Sequence, residues 1–151
     1  MLPNMGYYVQ AVDRMVKETE EIGETMHPKY QVVRVAIDQN KTADLSTEEL
    51  TEISELFKEG TKKYQLILKK ISQLRPPAKV MGIHKNFEKA YISYVAGCEE
   101  MIQSITTKDG VDVALFNASE EKQDKATENI SSAIQKMTCL LYTSPSPRDR
   151  G

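Results

Sequence analysis

Few side chains in this sequence could do chemistry, and the two histidines, His27 and His84, come first. Neither stands in a metal-binding pattern, because no second histidine follows at helical spacing and no cysteine pair accompanies them. His84 is the more informative of the two. It falls on a run of apolar positions spaced as one helix face, and an imidazole in such a seam needs a hydrogen-bond partner. Tyr64, Tyr91, Tyr94 and Gln123 occupy similar inward positions and can supply polar tips. This cluster of His84, Tyr64, Tyr91, Tyr94 and Gln123 is therefore the candidate site. It reads either as a polar pocket for a small ligand or as a satisfied core histidine that sets helix register, and a third reading leaves His84 half exposed at a bundle end. Cys98, between Gly97 and Glu99, reads as a small buried hydrophobe rather than a nucleophile. The acidic pairs Glu20-Glu21, Glu48-Glu49 and Glu99-Glu100 fall on polar faces, where solvated charge is the expected role. No glycine-rich phosphate loop or serine elbow is present. These residues assemble no catalytic constellation, so no enzyme activity, cofactor or metal is expected.

The elements that must position these residues are helices. From Asn4 to Met26 the positions Met5, Tyr8, Val12, Met15, Thr19, Ile22 and Met26 alternate spacings of 3 and 4, which is one helical stripe. His27-Pro28 interrupts it. Beyond lies an ambiguous stretch, since Val32, Val33, Val35 and Ile37 favour a strand by propensity while Tyr30, Val33 and Ile37 keep helical spacing. A lone strand has no pairing partner, so the expectation is helix, continuing after a kink to about Gln39.

A polar turn follows, and Ser46-Thr47-Glu48-Glu49 has the form of a capping box, with Leu45 and Leu50 at the positions of a hydrophobic staple. Leu50, Ile53, Phe57, Gly60, Tyr64, Ile67, Ile71 and Leu74 then run as one seam, roughly 37 Å long at about 1.5 Å per residue. Gly60 lies on that seam, where a missing side chain lets a neighbouring helix approach. Pro76-Pro77 stops the helix, because neither proline has an amide proton and Pro76 disfavours helical geometry at Arg75. The next stripe carries Val80, His84, Phe87, Tyr91, Tyr94, Cys98, Met101 and Ile105, and Ile83, Ala90, Val95 and Ile102 widen it enough to touch more than one helix. After the turn Thr106 to Gly110, a last helix carries Phe116, Ser119, Gln123, Ala126, Ile130, Ala133 and Met137, with a polar first half.

Composition agrees with this reading. A chain of 151 residues is one domain's worth and buries roughly two thirds of its unfolded surface. Its charged fraction of 28%, with only 7 Gly and 6 Pro, suits long helices. The net charge is −2 with both signs mixed along each helix, which leaves no basic stripe for phosphate, so nucleic acid is not an expected partner. No apolar run approaches the ~20 residues that span a bilayer, and the opening residues lack the blocks of a signal peptide.

Two resemblances add to the residue-level reading. Cys139 to Asp149 resembles the translation of the transposase adapter used to prepare sequencing libraries, and its Ser/Pro-rich sequence follows the end of helical periodicity at Met137. It implies that residues 139–151 are a non-native, disordered tail and that the native gene is cut short. The segments Gly23 to Lys29, Leu45 to Leu50, Pro76-Pro77 with His84, Phe87 and Tyr91, Tyr94 to Met101, and Phe116 to Gln123 resemble a family of small helical proteins from Gram-positive bacteria. The Pro-Pro pair followed by a histidine in the next helix is its most recognisable part. That resemblance implies a helical bundle, often exported and lipid-anchored through an N-terminal signal, with no assigned activity and no catalytic residues to carry over. The chain departs from it in having no signal or lipobox cysteine.

The expected fold is all-α: one domain over 1–138, an antiparallel bundle of about four helices at 4–26 (continuing kinked to 39), 46–75, 77–106 and 113–138. The expected function is a non-catalytic helical interaction module with a protein partner, the soluble part of a bacterial surface protein. Two alternatives stand beside it: a small-ligand-binding or enzymatic bundle with a polar core pocket near His84, and an intracellular partner-binding bundle. A cavity lined by the tyrosine and glutamine tips favours ligand binding, whereas a dry, close-packed seam favours the interaction module.

Overall fold

The computed structural model describes residues 5–142, with only the backbone of the last, and within them the chain forms four helices: α1 (Met5–Asp38), α2 (Thr47–Gln73), α3 (Met81–Ile105) and α4 (Val113–Tyr142). Short 3-10 turns at Thr42–Asp44 and Ala78–Val80 precede α2 and α3. Among the described residues there is no strand, only an isolated bridge between Thr107 and Gly110. The all-α expectation holds, with three changes at the boundaries.

The helix expected across the valine-rich stretch is present, and the first change is only that α1 runs as one element through Pro28 and ends at Asp38. Proline costs a helix interior about 3 kcal/mol, and β-branched residues a few tenths each. Both costs are outweighed by burial. Val33 and Ile37 pack into a cluster with Leu50, Ile53, Phe57, Met101, Ile105 and Phe116, and each such side chain contributes roughly 1.5–3 kcal/mol. The helix ends where Asn40 takes a left-handed φ of 55°, and the Lys41 amide donates to Ala36 O at 2.7 Å while the Asn40 amide donates to Ile37 O at 3.1 Å. That pair of bonds is the Schellman stop, with asparagine where glycine is usual.

The second change lies at the Pro-Pro turn. The capping box opens α2 as expected, with Glu49 N donating to Ser46 Oγ at 3.0 Å and Ser46 N to Glu49 Oε1 at 3.1 Å. However, α2 ends at Gln73 rather than Arg75, and α3 begins at Met81 rather than Pro77. The 3-10 turn between them buries Val80 and brings His84 into the first turn of α3. The third change is at the C-terminus. Helix α4 does not stop at residue 138 but continues through Cys139 to Tyr142, and Leu141 packs against the core. Residues 139–142 thus continue the helix past the expected end at 138, and the rest of the expected tail, 143–151, lies outside the described residues.

Packing divides the interior in two. One apolar cluster joins Tyr8, Val12, Met15, Ile67, Ile71, Val80, Phe87 and Met137; the other is the Val33 cluster above, and Met26 touches both. Helices α3 and α4 approach most closely, because Ala90, Gly97 and Ser104 on one and Ser119, Ala126 and Ala133 on the other are all buried and recur every seventh residue. A Cβ at Gly97 would lie 3.2 Å from the Ser119 carbonyl oxygen and 2.8 Å from Gln123 Cγ. The close approach expected at Gly60 is also present but is filled differently: the Met26 side chain lies across it, with Sδ 2.4 Å from where a Cβ would be. Helices α1 and α4, by contrast, have no extended backbone contact.

Candidate functional site

Helices α1 and α4 are latched at both ends and apart in the middle. At one end Tyr8 reaches across to His84 and Met137. At the other, Arg34 donates to Glu120 Oε1 and Asn117 Oδ1, both at 2.9 Å, and to Asp38 Oδ1 at 2.7 Å, while its guanidinium lies over the Phe116 ring. Between the latches opens a cleft of about 700 Å³, within the size range of small-molecule sites. Its floor joins the two apolar clusters: Phe57, Thr61 and Tyr64 come from α2, and Tyr94, Cys98 and Met101 from α3. Its walls are Glu20, Gly23, Glu24, His27 and Tyr30 from α1 facing Glu120, Gln123 and Asp124 from α4.

The five residues of the candidate cluster part company here. Tyr64, Tyr94 and Gln123 line the cleft, whereas His84 and Tyr91 do not. His84 is 4% exposed, with Nε2 3.0 Å from Ile71 O and Nδ1 2.8 Å from the Tyr8 hydroxyl. A carbonyl only accepts, so Nε2 carries a proton and donates to Ile71 O, while Nδ1 pairs with the Tyr8 hydroxyl. Both nitrogens are used. The imidazole clips the end of α2 and the start of α3 to the start of α1, and His84 does not line the cleft. Tyr91 packs edge-on between Phe87 and Tyr64 and donates to Thr19 Oγ1 at 2.7 Å. Thr19 in turn donates to Met15 O.

The groups that remain in the cleft are not poised for catalysis. Burial pushes the Cys98 thiol up to about 12, with the Glu99 charge adding to the rise, and Cys98 shares a hydrogen bond with Tyr94. Such a thiol holds almost no thiolate at neutral pH. The rings of Tyr64 and Tyr94 meet edge to face at 5.0 Å and their hydroxyls share a 3.2 Å hydrogen bond. Burial, together with the neighbouring Cys98, holds the Tyr94 hydroxyl at about 12. His27 Nε2 bonds Gln31, and its ring stacks on Tyr30. Tyr30 hydrogen-bonds Glu120, and burial followed by that bond raises its hydroxyl well above the ordinary tyrosine range. Gln123 Nε2 donates to Gly97 O at 3.2 Å.

Two polar features stand out against this satisfied background. Thr61 lines the floor and is 4% exposed, yet among the described residues its hydroxyl has no hydrogen bond. Glu20, Glu24 and Asp124 have no ion-pair partner among the described residues, and no lysine or arginine lines the cleft. Asp124 is raised above the usual carboxylate range, first by desolvation and then by Glu120, Glu128 and Glu121.

Sequence reasoning placed Glu20 and Glu24 on the solvated face of the first helix and counted no glutamate three residues before either histidine, whereas Glu24 stands at Glu-x-x-His spacing to His27. The signal that could have found this wall is the like-charge spacing: Glu20 with Glu24 and Glu120 with Asp124 are i,i+4 acid pairs, and each such pair destabilises an isolated helix by about 0.2–0.5 kcal/mol. Even so, no three His, Cys, Asp or Glu among the described residues are grouped so as to hold a metal ion.

No family model, curated protein or solved structure matches this chain. Among the described residues no helix is long and apolar enough to cross a membrane.

Proposed function

We propose that the protein is a non-catalytic binding bundle whose site is the cleft between α1 and α4, and that its ligand is a small molecule. The observation that carries this reading is the convergence of Tyr64, Tyr94 and Gln123 on an open space of about 700 Å³. Tyr94 and Gln123 keep partial exposure on this space, which a dry seam, as the plain interaction module requires, would have closed over; Tyr64 lies buried behind them. The reading is non-catalytic because the thiol of Cys98 is raised out of its reactive range and His27 is hydrogen-bonded to Gln31, a neighbour that activates nothing.

Gly23→Leu provides the test. Gly23 lies on the α1 wall, and a Cβ there meets only the Tyr64 hydroxyl at 3.5 Å, an ordinary contact. Leucine also favours helix over glycine by roughly 0.5–1 kcal/mol. The variant is therefore expected to fold at least as stably while its side chain fills the cleft. A library of small fragments screened by amide NMR should give hits that move Thr61, Tyr64, Tyr94 and Gln123 in the parent and not in Gly23→Leu. Hits scattered over the surface, equally in both proteins, would refute the cleft as the site.

A further inference from the structure

The cleft has a charge and a floor that restrict what can enter it. Its walls carry four carboxylates, Glu20 and Glu24 from α1 and Glu120 and Asp124 from α4. Of these only Glu120 has a cationic neighbour, Arg34. The other three face a space that no lysine or arginine enters, so an anionic ligand meets repulsion from both sides and a neutral one leaves that repulsion in place. The carboxyl of Asp124 is raised first by desolvation and then by Glu120, Glu128 and Glu121 of its own helix.

A metal ion does not answer this charge, because the carboxylates are spread along two helices rather than gathered around one point. A diffuse organic cation does. The floor beneath the carboxylates supplies the other half of such a site: the half-buried Tyr94 ring, an aromatic surface of the kind that attracts ammonium groups, backed by the buried Tyr64, Phe57 and Met101. Thr61 on the same floor adds a buried hydroxyl with no hydrogen bond among the described residues, and Gln123 keeps Oε1 as an acceptor after its amide nitrogen is used on Gly97. An acidic helix face alone would need none of these.

We propose that the cleft binds an organic ammonium compound, its cationic head between the Glu24 and Asp124 walls and its apolar body against Tyr94. This rests on the reading of the cleft as a small-molecule site and names the class of ligand that enters it.

The full chain is titrated by calorimetry and amide NMR with choline and with benzyltrimethylammonium. The control is 3,3-dimethylbutan-1-ol, which replaces the choline nitrogen with carbon and so removes the charge while keeping the shape. The ammonium probes should bind with shifts at Thr61, Tyr64 and Tyr94, and choline should bind at least ~10-fold more tightly than its neutral isostere. The double variant Glu24→Gln with Asp124→Asn changes only exposed side chains and should fold normally while weakening the ammonium probes by about 5-fold or more. Gly23→Leu should abolish binding.

If the neutral isostere matches choline, or the double variant leaves the ammonium probes unaffected, the ammonium assignment is wrong, although a small-molecule cleft blocked by Gly23→Leu survives. If none of the three probes moves the cleft residues, the ammonium assignment also fails. The fragment screen with Gly23→Leu then decides separately whether the cleft binds anything.

Discussion

Replacing Gly97 with alanine takes nothing away and adds one methyl group, yet it should destabilise the protein, and the reason lies in what that methyl meets. Three helical glycines, Gly23, Gly60 and Gly97, gain about 0.5–1 kcal/mol of helix propensity from the same change. Their surroundings then separate them. At Gly23 the new Cβ finds only the Tyr64 hydroxyl at 3.5 Å, so the full gain should appear. At Gly60 it lies 2.4 Å from Met26 Sδ, the middle of a flexible side chain that can rotate away, so gain and cost should cancel to within about 1 kcal/mol. At Gly97 it lies 3.2 Å from Ser119 O and 3.3 Å from Gln123 N, both backbone atoms, and 2.8 Å from Gln123 Cγ. Relief there requires α3 and α4 to separate and the Gln123 to Gly97 hydrogen bond to lengthen. Overpacking of this kind costs about 1–3 kcal/mol and the hydrogen bond about 1 more, so the net loss is roughly 1–3 kcal/mol. At about 2–4 °C per kcal/mol for a chain of this size, Tm should fall by roughly 3–10 °C for Gly97→Ala, change little for Gly60→Ala, and rise by a few degrees for Gly23→Ala. Urea denaturation followed by far-UV circular dichroism measures all three. A Gly97→Ala protein as stable as the parent would refute the close α3–α4 approach on which the open α1–α4 cleft depends.

Other outcomes test the latches and the buried hydroxyls. Tyr8→Phe leaves His84 Nδ1 without its partner and should cost about 1–2 kcal/mol; a neutral result in thermal denaturation would mean that the histidine clip does not hold α1. Removing residues 139–151 takes away Leu141, which packs beside Tyr8, Val16 and Met137. Stability should fall by about 1 kcal/mol, and an unchanged midpoint would show that the last turn of α4 contributes no packing. Stability should also decline in alkali. The Cys98 thiol rises from 9.0 to about 12 and the Tyr8 and Tyr94 hydroxyls from 10.0 to about 12 on folding, so the native state holds protons that the unfolded chain releases. Their contribution is fully present below pH 9 and is lost as pH climbs from there toward 12. Titration by tyrosinate absorbance should show the buried tyrosines ionising only together with the loss of helical dichroism; ionisation of all tyrosines near 10 in a still-folded protein would contradict their burial.

The number of helices, the two seams through α2 and α3, the capping box at Ser46 and the stop at Pro76-Pro77 were all legible in the sequence. Each is set by residues within a few positions of one another: side-chain spacing against a fixed helical repeat, a hydroxyl and an amide three residues apart, and a proline without a proton. Tertiary packing decided what local rules left open. Val33 and Ile37 are helical because Phe57, Met101 and Phe116 cover them, and α4 runs on to Tyr142 with Leu141 seated on the core. The candidate cluster was half legible for the same reason. Periodicity shows that His84, Tyr64, Tyr91, Tyr94 and Gln123 face inward, but not which of them another helix will cover. That depends on the small residues at Ala90, Gly97, Ser104, Ser119, Ala126 and Ala133, which draw α4 onto α3. Such a groove of small side chains lies between α4 and α3, so α4 sits closest to α3, and α1 and α4 have no extended backbone contact. The cleft between them, with its carboxylate walls, follows from that inequality in helix spacing.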